Sequence, residues 1–264
     1  MEQSYDFSNP LILEQMKLYM SNLMASAQML TPLVQGSDEA RYGEYHAILN
    51  QSLYRLLRLM QNIEYLATPE QPATLKRQPI DPLALCHSLY EQVAPITGQL
   101  GVSFRFIAEG DYPLTTADAE LLRRMLLNLV SNALRTTGEG GEIGLRLRSD
   151  AGRLFFIVWD NGEGYTGEAL SADPDDFANR PDGARLGLEV VRRIARLHNG
   201  TLVFEQSGER GTRATVSLPV VPPENKIILR TPPSQHGTSG GFSTTIIELS
   251  GVLPHRFFLP GNLE

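Results

Sequence analysis

The sequence predicts an α+β protein in which an antiparallel helical hairpin precedes an α/β sandwich. Three observations carry that expectation. Near the N-terminus, apolar residues recur twice at alternating three- and four-residue steps, each run forming a heptad seam. In the middle of the chain, helix-period segments are interspersed with strand-period segments. Within that region, residues 121–137 read LLRRMLLNLVSNALRTT, an apolar helical pattern interrupted by two carboxamides one turn apart, Asn128 and Asn132. The expected organisation is a hairpin over 1–70, a sandwich domain over 71–221 and an extension over 222–264.

The first seam runs through Leu13, Met16, Met20, Leu23, Ala27, Leu30 and Val34. Thr31-Pro32 and Gly36-Ser37-Asp38 punctuate its end. The second runs through His46, Leu49, Leu53, Leu56, Met60, Ile63 and Ala67. One hairpin cannot bury two seams, so a homodimeric four-helix bundle is expected, the alternative being a hairpin packed on the following domain. Residues 68–82 hold four prolines and read as a linker. A helix follows over 81–98, with Asp81 as cap and Pro82 at its first position. Strands are expected over 102–108, 141–148, 154–159, 200–205 and 213–221, and helices over 118–137 and 186–197. In the extension, 226–230 and 243–249 read as short strands, packed on the sheet as a flap.

Composition bounds the function. The net charge of −7 argues against general affinity for nucleic acid or anionic membranes. A single cysteine, Cys86, rules out an internal disulfide and a cysteine-built metal cluster. No apolar run reaches membrane-spanning length, so no integral membrane segment and a cytoplasmic location are expected.

Four motifs carry chemistry. The paired carboxamides of Asn128 and Asn132 share one helix face, and an amide oxygen can bind a hard cation. Asp160-Asn161-Gly162-Glu163-Gly164 closes an apolar strand; its carboxylate can accept from an exocyclic amine, and its glycines admit close backbone approach to a flat ligand. Gly183-Ala184-Arg185-Leu186-Gly187-Leu188 opens a helix, whose N-terminus is an anion site. Gly208-Glu209-Arg210-Gly211-Thr212 is a hairpin turn with a hydroxyl at its exit.

Taken in order, NLVSNALRTT, DNGEGY, GARLGLEVVRRIARLHNG and GTRATVSLP resemble the boxes of the ATP-binding domain of bacterial histidine kinases, in the superfamily that includes DNA gyrase, Hsp90 and MutL. The resemblance spans residues 79–221. It implies that Asn132 binds Mg²⁺ bridging the ATP phosphates, and that Asn128 and Arg135 contact phosphate or metal. It implies that Asp160 accepts from the adenine amino group, with Gly162 and Gly164 shaping the pocket. Gly187 and Leu188 would offer N–H groups to phosphate, and Thr212 would lie near adenine. ATPases of the superfamily carry a glutamate base at the position of Asn128; an amide cannot take a proton, which points to phosphotransfer or binding over hydrolysis.

Three departures mark this chain. Arg185 stands where a glycine is usual, adding a charged fork that grips phosphate or bulk that blocks it. Thr136 replaces an aromatic residue. The hairpin resembles the dimerisation and phosphotransfer domain, yet Asn22 stands where the acceptor histidine is expected. His46, on the second seam, is the only candidate phosphoacceptor in the hairpin. The expected function is phosphoryl transfer from ATP to histidine in a two-component system, with a response regulator as partner. The alternative is a non-catalytic dimeric adaptor, or a phosphotransfer protein, carrying a degenerate ATP-binding domain.

Overall fold

A computed structural model describes residues 18–20, 22–23, 25–26, 39–71, 75–163, 184–207, 210–223, 238–239 and 242–259. The described residues fall into two compact units. One comprises those up to Thr68, residues 184–186 and those from Thr238 onward, the other those of 69–163 and 187–223.

In the first unit the described residues of 18–26 are helical, and α1 spans Glu39–Ala67. The expected seam is the open face of α1: Leu53 is 46% and Met60 52% exposed. Ala47, Tyr54, Leu59 and Leu66 are buried instead. Part of what covers that face is the end of the chain, where the short pair β8 (Thr238–Ser239) and β9 (Phe242–Ser243) leads into α5 (Thr244–Leu249) and a 3₁₀ turn, His255–Phe258. Ile247, Leu249, Leu253, Phe257 and Phe258 are buried there, and the Phe258 ring lies 5.4 Å from that of Tyr54. Two sequence expectations are thereby corrected: residues 244–249 are helical rather than a strand, and residues 244–258 pack on α1 rather than as a flap on the sheet; the strand expected over 226–230 lies outside the described residues. The β-branched run Thr244-Thr245-Ile246-Ile247 favours a strand locally, but burial against a helix overrides that weak preference.

The second unit contains β1 (Gln78–Ile80), α2 (Pro82–Gln99), β2 (Ser103–Glu109), β3 (Thr115–Ala117), α3 (Ala119–Thr136), β4 (Glu142–Asp150), β5 (Arg153–Asp160), α4 (Ala184–Leu197), β6 (Thr201–Gln206) and β7 (Thr212–Pro219). Helix α4 enters this unit at Gly187. Strands run in the order β2-β4-β5-β7-β6, parallel between β2 and β4 and antiparallel elsewhere. β1, inside what the sequence offers as linker, forms a separate antiparallel pair with β3.

Asp81 caps α2 by accepting from the N–H groups of Leu83 and Ala84, and Asp118 caps α3 by accepting from that of Leu121. One sheet face supplies the core: Ile143, Leu145, Leu147, Leu154, Phe156, Val158, Val216 and Leu218 are buried with Met125, Leu126, Leu129, Val190 and Ile194 of the helices. β5, a nearly continuous apolar strand in sequence, alternates in burial, with Phe155, Ile157 and Trp159 half-buried on the outer face. The Trp159 indole lies over Gly144, where an added Cβ would sit 2.2 Å from the ring. Cys86 is a buried free thiol, its pKa pushed up by burial.

Candidate functional site

The site begins at the end of β5. Asp160 is the strand's last residue, 4% exposed, and its Oδ1 accepts the N–H groups of Gly162 at 3.0 Å and Thr212 at 3.2 Å. Burial raises the carboxyl's pKa; those two amides, with the hydroxyls of Thr136 and Thr212, pull it back down. Asp160 is therefore held in place by three elements: its own strand end, the C-terminus of α3 and the start of β7.

Glycines make that convergence possible. A Cβ on Gly162 would lie 2.2 Å from the carbonyl oxygen of Thr136, and one on Gly211 would lie 2.2 Å from that of Asp160. Gly211 also has φ +98, a conformation side chains rarely adopt. The Glu163 N–H donates to the Thr136 carbonyl at 3.2 Å, tying the turn after β5 to the end of α3. The Asn161 side chain accepts from the Glu142 N–H at 2.8 Å and fixes the same turn to β4.

One turn before Thr136 stands Asn132, half-buried, with a side-chain nitrogen that is buried and has no hydrogen-bond partner. Arg135 Nε is in the same condition. Buried polar atoms are normally satisfied, so orphaned donors in the last turns of α3 fit a polar ligand that would complete them. Asn128, predicted to share the face, is fully buried, and its amide donates to the Arg124 carbonyl at 2.9 Å. Of the two carboxamides, Asn132 is the more open. Gly187 and Leu188 are buried in α4. Because the helix begins at Ala184, the open N–H groups belong to residues at or before Gly187, and Leu188 lies inside the ladder. Gly164, the Arg185 side chain and the stretch 164–183 lie outside the described residues.

Thr136 is the residue that sequence reasoning missed. The sequence shows only the absence of an aromatic there, whereas in the fold its carbonyl receives the Glu163 N–H at 3.2 Å and packs against Gly162.

His46, the candidate acceptor, lies in the other unit. Its Nδ1 faces Asn50 Nδ2 at 3.0 Å, and the same amide nitrogen donates to the Phe258 carbonyl at 3.0 Å. That carbonyl fixes the amide's orientation, so Nδ1 accepts and the neutral ring carries its proton on Nε2. A protonated Nε2 has no lone pair for attack. His198, buried in the second unit, donates from Nδ1 to the Ile194 carbonyl at 2.8 Å and accepts the Asp118 N–H on Nε2 at 3.1 Å, a structural role.

This architecture and site define an ATP-binding fold shared by kinases, topoisomerases and chaperones. Residues 117–222 match the family described as histidine kinase-, DNA gyrase B- and HSP90-like ATPase. The chain belongs to the bacterial histidine kinases of that superfamily. It is similar to the histidine protein kinase DivJ of Caulobacter vibrioides, 32% identical over 74% of this chain and 33% of that protein. It thus spans about a third of that relative's length. Two solved structures share the fold. The histidine kinase ThkA, in complex with the response regulator TrrA, gives a TM-score of 0.59 at 20% identity, covering 80% of this chain and 63% of that one. Full-length ShkA in complex with AMPPNP gives 0.57 at 22% identity, covering 77% and 46%. Among the described residues, no helix is long and apolar enough to cross a membrane.

Proposed function

We propose that this chain binds ATP with Mg²⁺ between the end of β5 and α3 and serves phosphoryl transfer to histidine in a two-component system. What supports the reading is the buried Asp160 carboxylate, held by the Gly162 and Thr212 N–H groups, in an ATPase-family domain whose helix α3 carries the unsatisfied Asn132 Nδ2. Asp160 would accept the adenine amino group through Oδ2, since Oδ1 already holds two backbone N–H groups. Gly162 and Gly164 would let backbone approach the ring. Asn132 would hold the metal, and Arg135, Arg185 and the N–H groups of α4 up to Gly187 would face the phosphates, whereas the buried Asn128 and the ladder-bonded Leu188 take no direct part. Mg²⁺ supplies charge neutralisation on the phosphates when bound. No carboxylate base occupies the position of Asn128, which favours transfer over hydrolysis.

With Asn22 in place of the expected histidine and His46 in the unfavourable tautomer, the phosphoryl acceptor would be a histidine on another protein. A second copy, through the α1 seam, and a response regulator, such as the one with which ThkA is complexed, would be the partners. The test is calorimetric titration with MgADP, followed by incubation with γ-labelled ATP and a partner histidine protein. Saturable binding lost in Asn132→Ala, with acid-labile label on the partner, is expected. Absence of nucleotide binding by the folded chain sinks the reading, while binding without label leaves the adaptor.

A further inference from the structure

Strand β5 reads LFFIVW over residues 154–159, apolar on both faces. Leu154, Phe156 and Val158 enter the core, whereas Phe155, Ile157 and Trp159 lie half-buried on the outer face. A strand apolar on both sides is the pattern of a sheet covered on both sides. The ladder places an arginine beside each outer residue: Arg148 opposite Phe155 and Arg146 opposite Ile157 on β4, Arg213 opposite Trp159 on β7. Arg148 is engaged, its Cζ 5.7 Å from the centre of the Phe155 ring and its Nη2 2.6 Å from Asp150 Oδ2. The Arg146 and Arg213 side chains have no hydrogen-bond or ion-pair partner among the described residues. Arg146 Nε is moreover buried, and buried donors are normally satisfied. Tryptophan and arginine are among the side chains that carry most energy in protein contacts. An apolar ridge between two uncommitted guanidinium groups has the composition of such a contact.

We propose that the outer sheet face, centred on Ile157 and Trp159, docks an acidic segment of a partner protein. Apolar side chains of the segment cover those two residues, and its carboxylates take forked hydrogen bonds from Arg146 and Arg213. Charge selects this occupant. The groups beside the ridge are positive in a chain of net charge −7. The acidic groups of the same face stand at its margin: Glu109 and Glu205 on the edge strands, Glu142 and Asp150 at the ends of β4. A nucleic acid would run its phosphates past those carboxylates, and aliphatic Ile157 gives a base no ring to stack on. A second copy about a two-fold axis would set the patch against itself, bringing four unpaired guanidinium groups into one interface. A protein segment places its carboxylates only where the arginines are. Nucleotide binding plays no part in this contact.

Trp159 is the chain's sole tryptophan, so tryptophan emission reports on this face. A displayed library of random dodecapeptides is selected on the full chain and counter-selected on Arg146→Gln with Arg213→Gln, which keeps most of both stems and removes both charges. Enriched peptides should combine Asp or Glu with large apolar residues. Synthesised singly, they should shift Trp159 emission saturably, weaken as salt is raised and bind the double variant roughly tenfold more weakly or worse. The double variant should melt within a few degrees of wild type, since neither guanidinium has a partner in the fold to lose. If it melts earlier, Arg213→Glu, at an exposed position, carries the same test: acidic peptides must lose affinity for it and basic ones gain. Enrichment of basic peptides or of none, binding that survives these substitutions, or binding that leaves Trp159 emission unmoved would each overturn the proposal. So would an emission shift driven by oligouridylate rather than by acidic peptides, or by protein concentration alone, the signs of a nucleic acid and of a second copy.

Discussion

Asp160→Asn separates recognition from folding. In the wild type, Oδ1 accepts two N–H groups, from Gly162 and Thr212. Asparagine keeps an oxygen there, so both hydrogen bonds survive as neutral ones. A hydrogen bond to a charged group contributes about 1.5–3 kcal/mol and a neutral one about 0.5–1.5 kcal/mol, so the two together lose roughly 2 kcal/mol. Against that, burial disfavours the ionised carboxyl, as its raised pKa records, and the amide removes that cost. The terms oppose each other, and the melting temperature should move by only a few degrees. Ligand binding has no such offset. The atom facing the adenine amino group becomes an NH₂, donor against donor. Loss of one charge-assisted hydrogen bond, at least ~1.4 kcal/mol, lowers affinity at least tenfold.

Asp160→Ala makes the contrast. It orphans two buried N–H groups at about 1–3 kcal/mol each, so it should lower both stability and affinity. The assay is differential scanning fluorimetry beside MgADP titration. If Asp160→Asn binds MgADP as tightly as wild type, or melts as early as Asp160→Ala, the assignment of Oδ2 to adenine is wrong.

Three further outcomes are expected. Gly211→Ala, forced against the Asp160 carbonyl at a positive φ, should destabilise the fold by about 2 kcal/mol or more and weaken MgADP binding with it, read by urea denaturation. His198 has its pKa lowered, chiefly by burial, whereas the unfolded ring takes a proton near 6.5. The unfolded state then binds more protons, so stability is full above about pH 6.5 and falls below it towards the folded value; that slope should be smaller in His198→Gln. On the α1 seam, Met60→Glu should convert a sedimenting dimer to monomer while leaving MgADP affinity unchanged; a dimer that survives the substitution excludes the seam as the interface.

The site was legible where its signals were local. The turn after β5 was readable because the Gly162 N–H closes on the Asp160 carboxylate two residues back, whereas the full burial of Asn128 and the tie from Thr212, 52 residues on, exist only in the fold. Thr136 was not, because its carbonyl meets the turn after β5 only in the fold, where Gly162 packs on it and the Glu163 N–H donates to it. The cap residue Asp81 was readable for the same reason that β1 and β3 were not. A cap is made with the next three residues, whereas a three-residue strand is defined only by its pairing partner, here Gln78 with Ala117. The last helix misled because Thr244-Thr245-Ile246-Ile247 carries strand propensity, and only the docked α1 face decides otherwise.

The two faces of α1 explain how the hairpin seam was right in pattern and incomplete in meaning. A helix with apolar side chains on more than one face needs more than one partner. Ala47 and Tyr54 lie on a side to which the chain's own C-terminal segment contributes, through Phe258 and the carbonyls of Ser250 and Leu253. Leu53 and Met60 lie on the other side and are about half exposed. A sequence scan at heptad spacing finds only the second set, because the first mixes Tyr54 with polar Asn50, Gln51, Arg55 and Arg58. Those polar residues are spaced to meet carbonyls rather than to face water. One helix can thus hold its own tail on one side and keep an apolar seam for a second copy on the other.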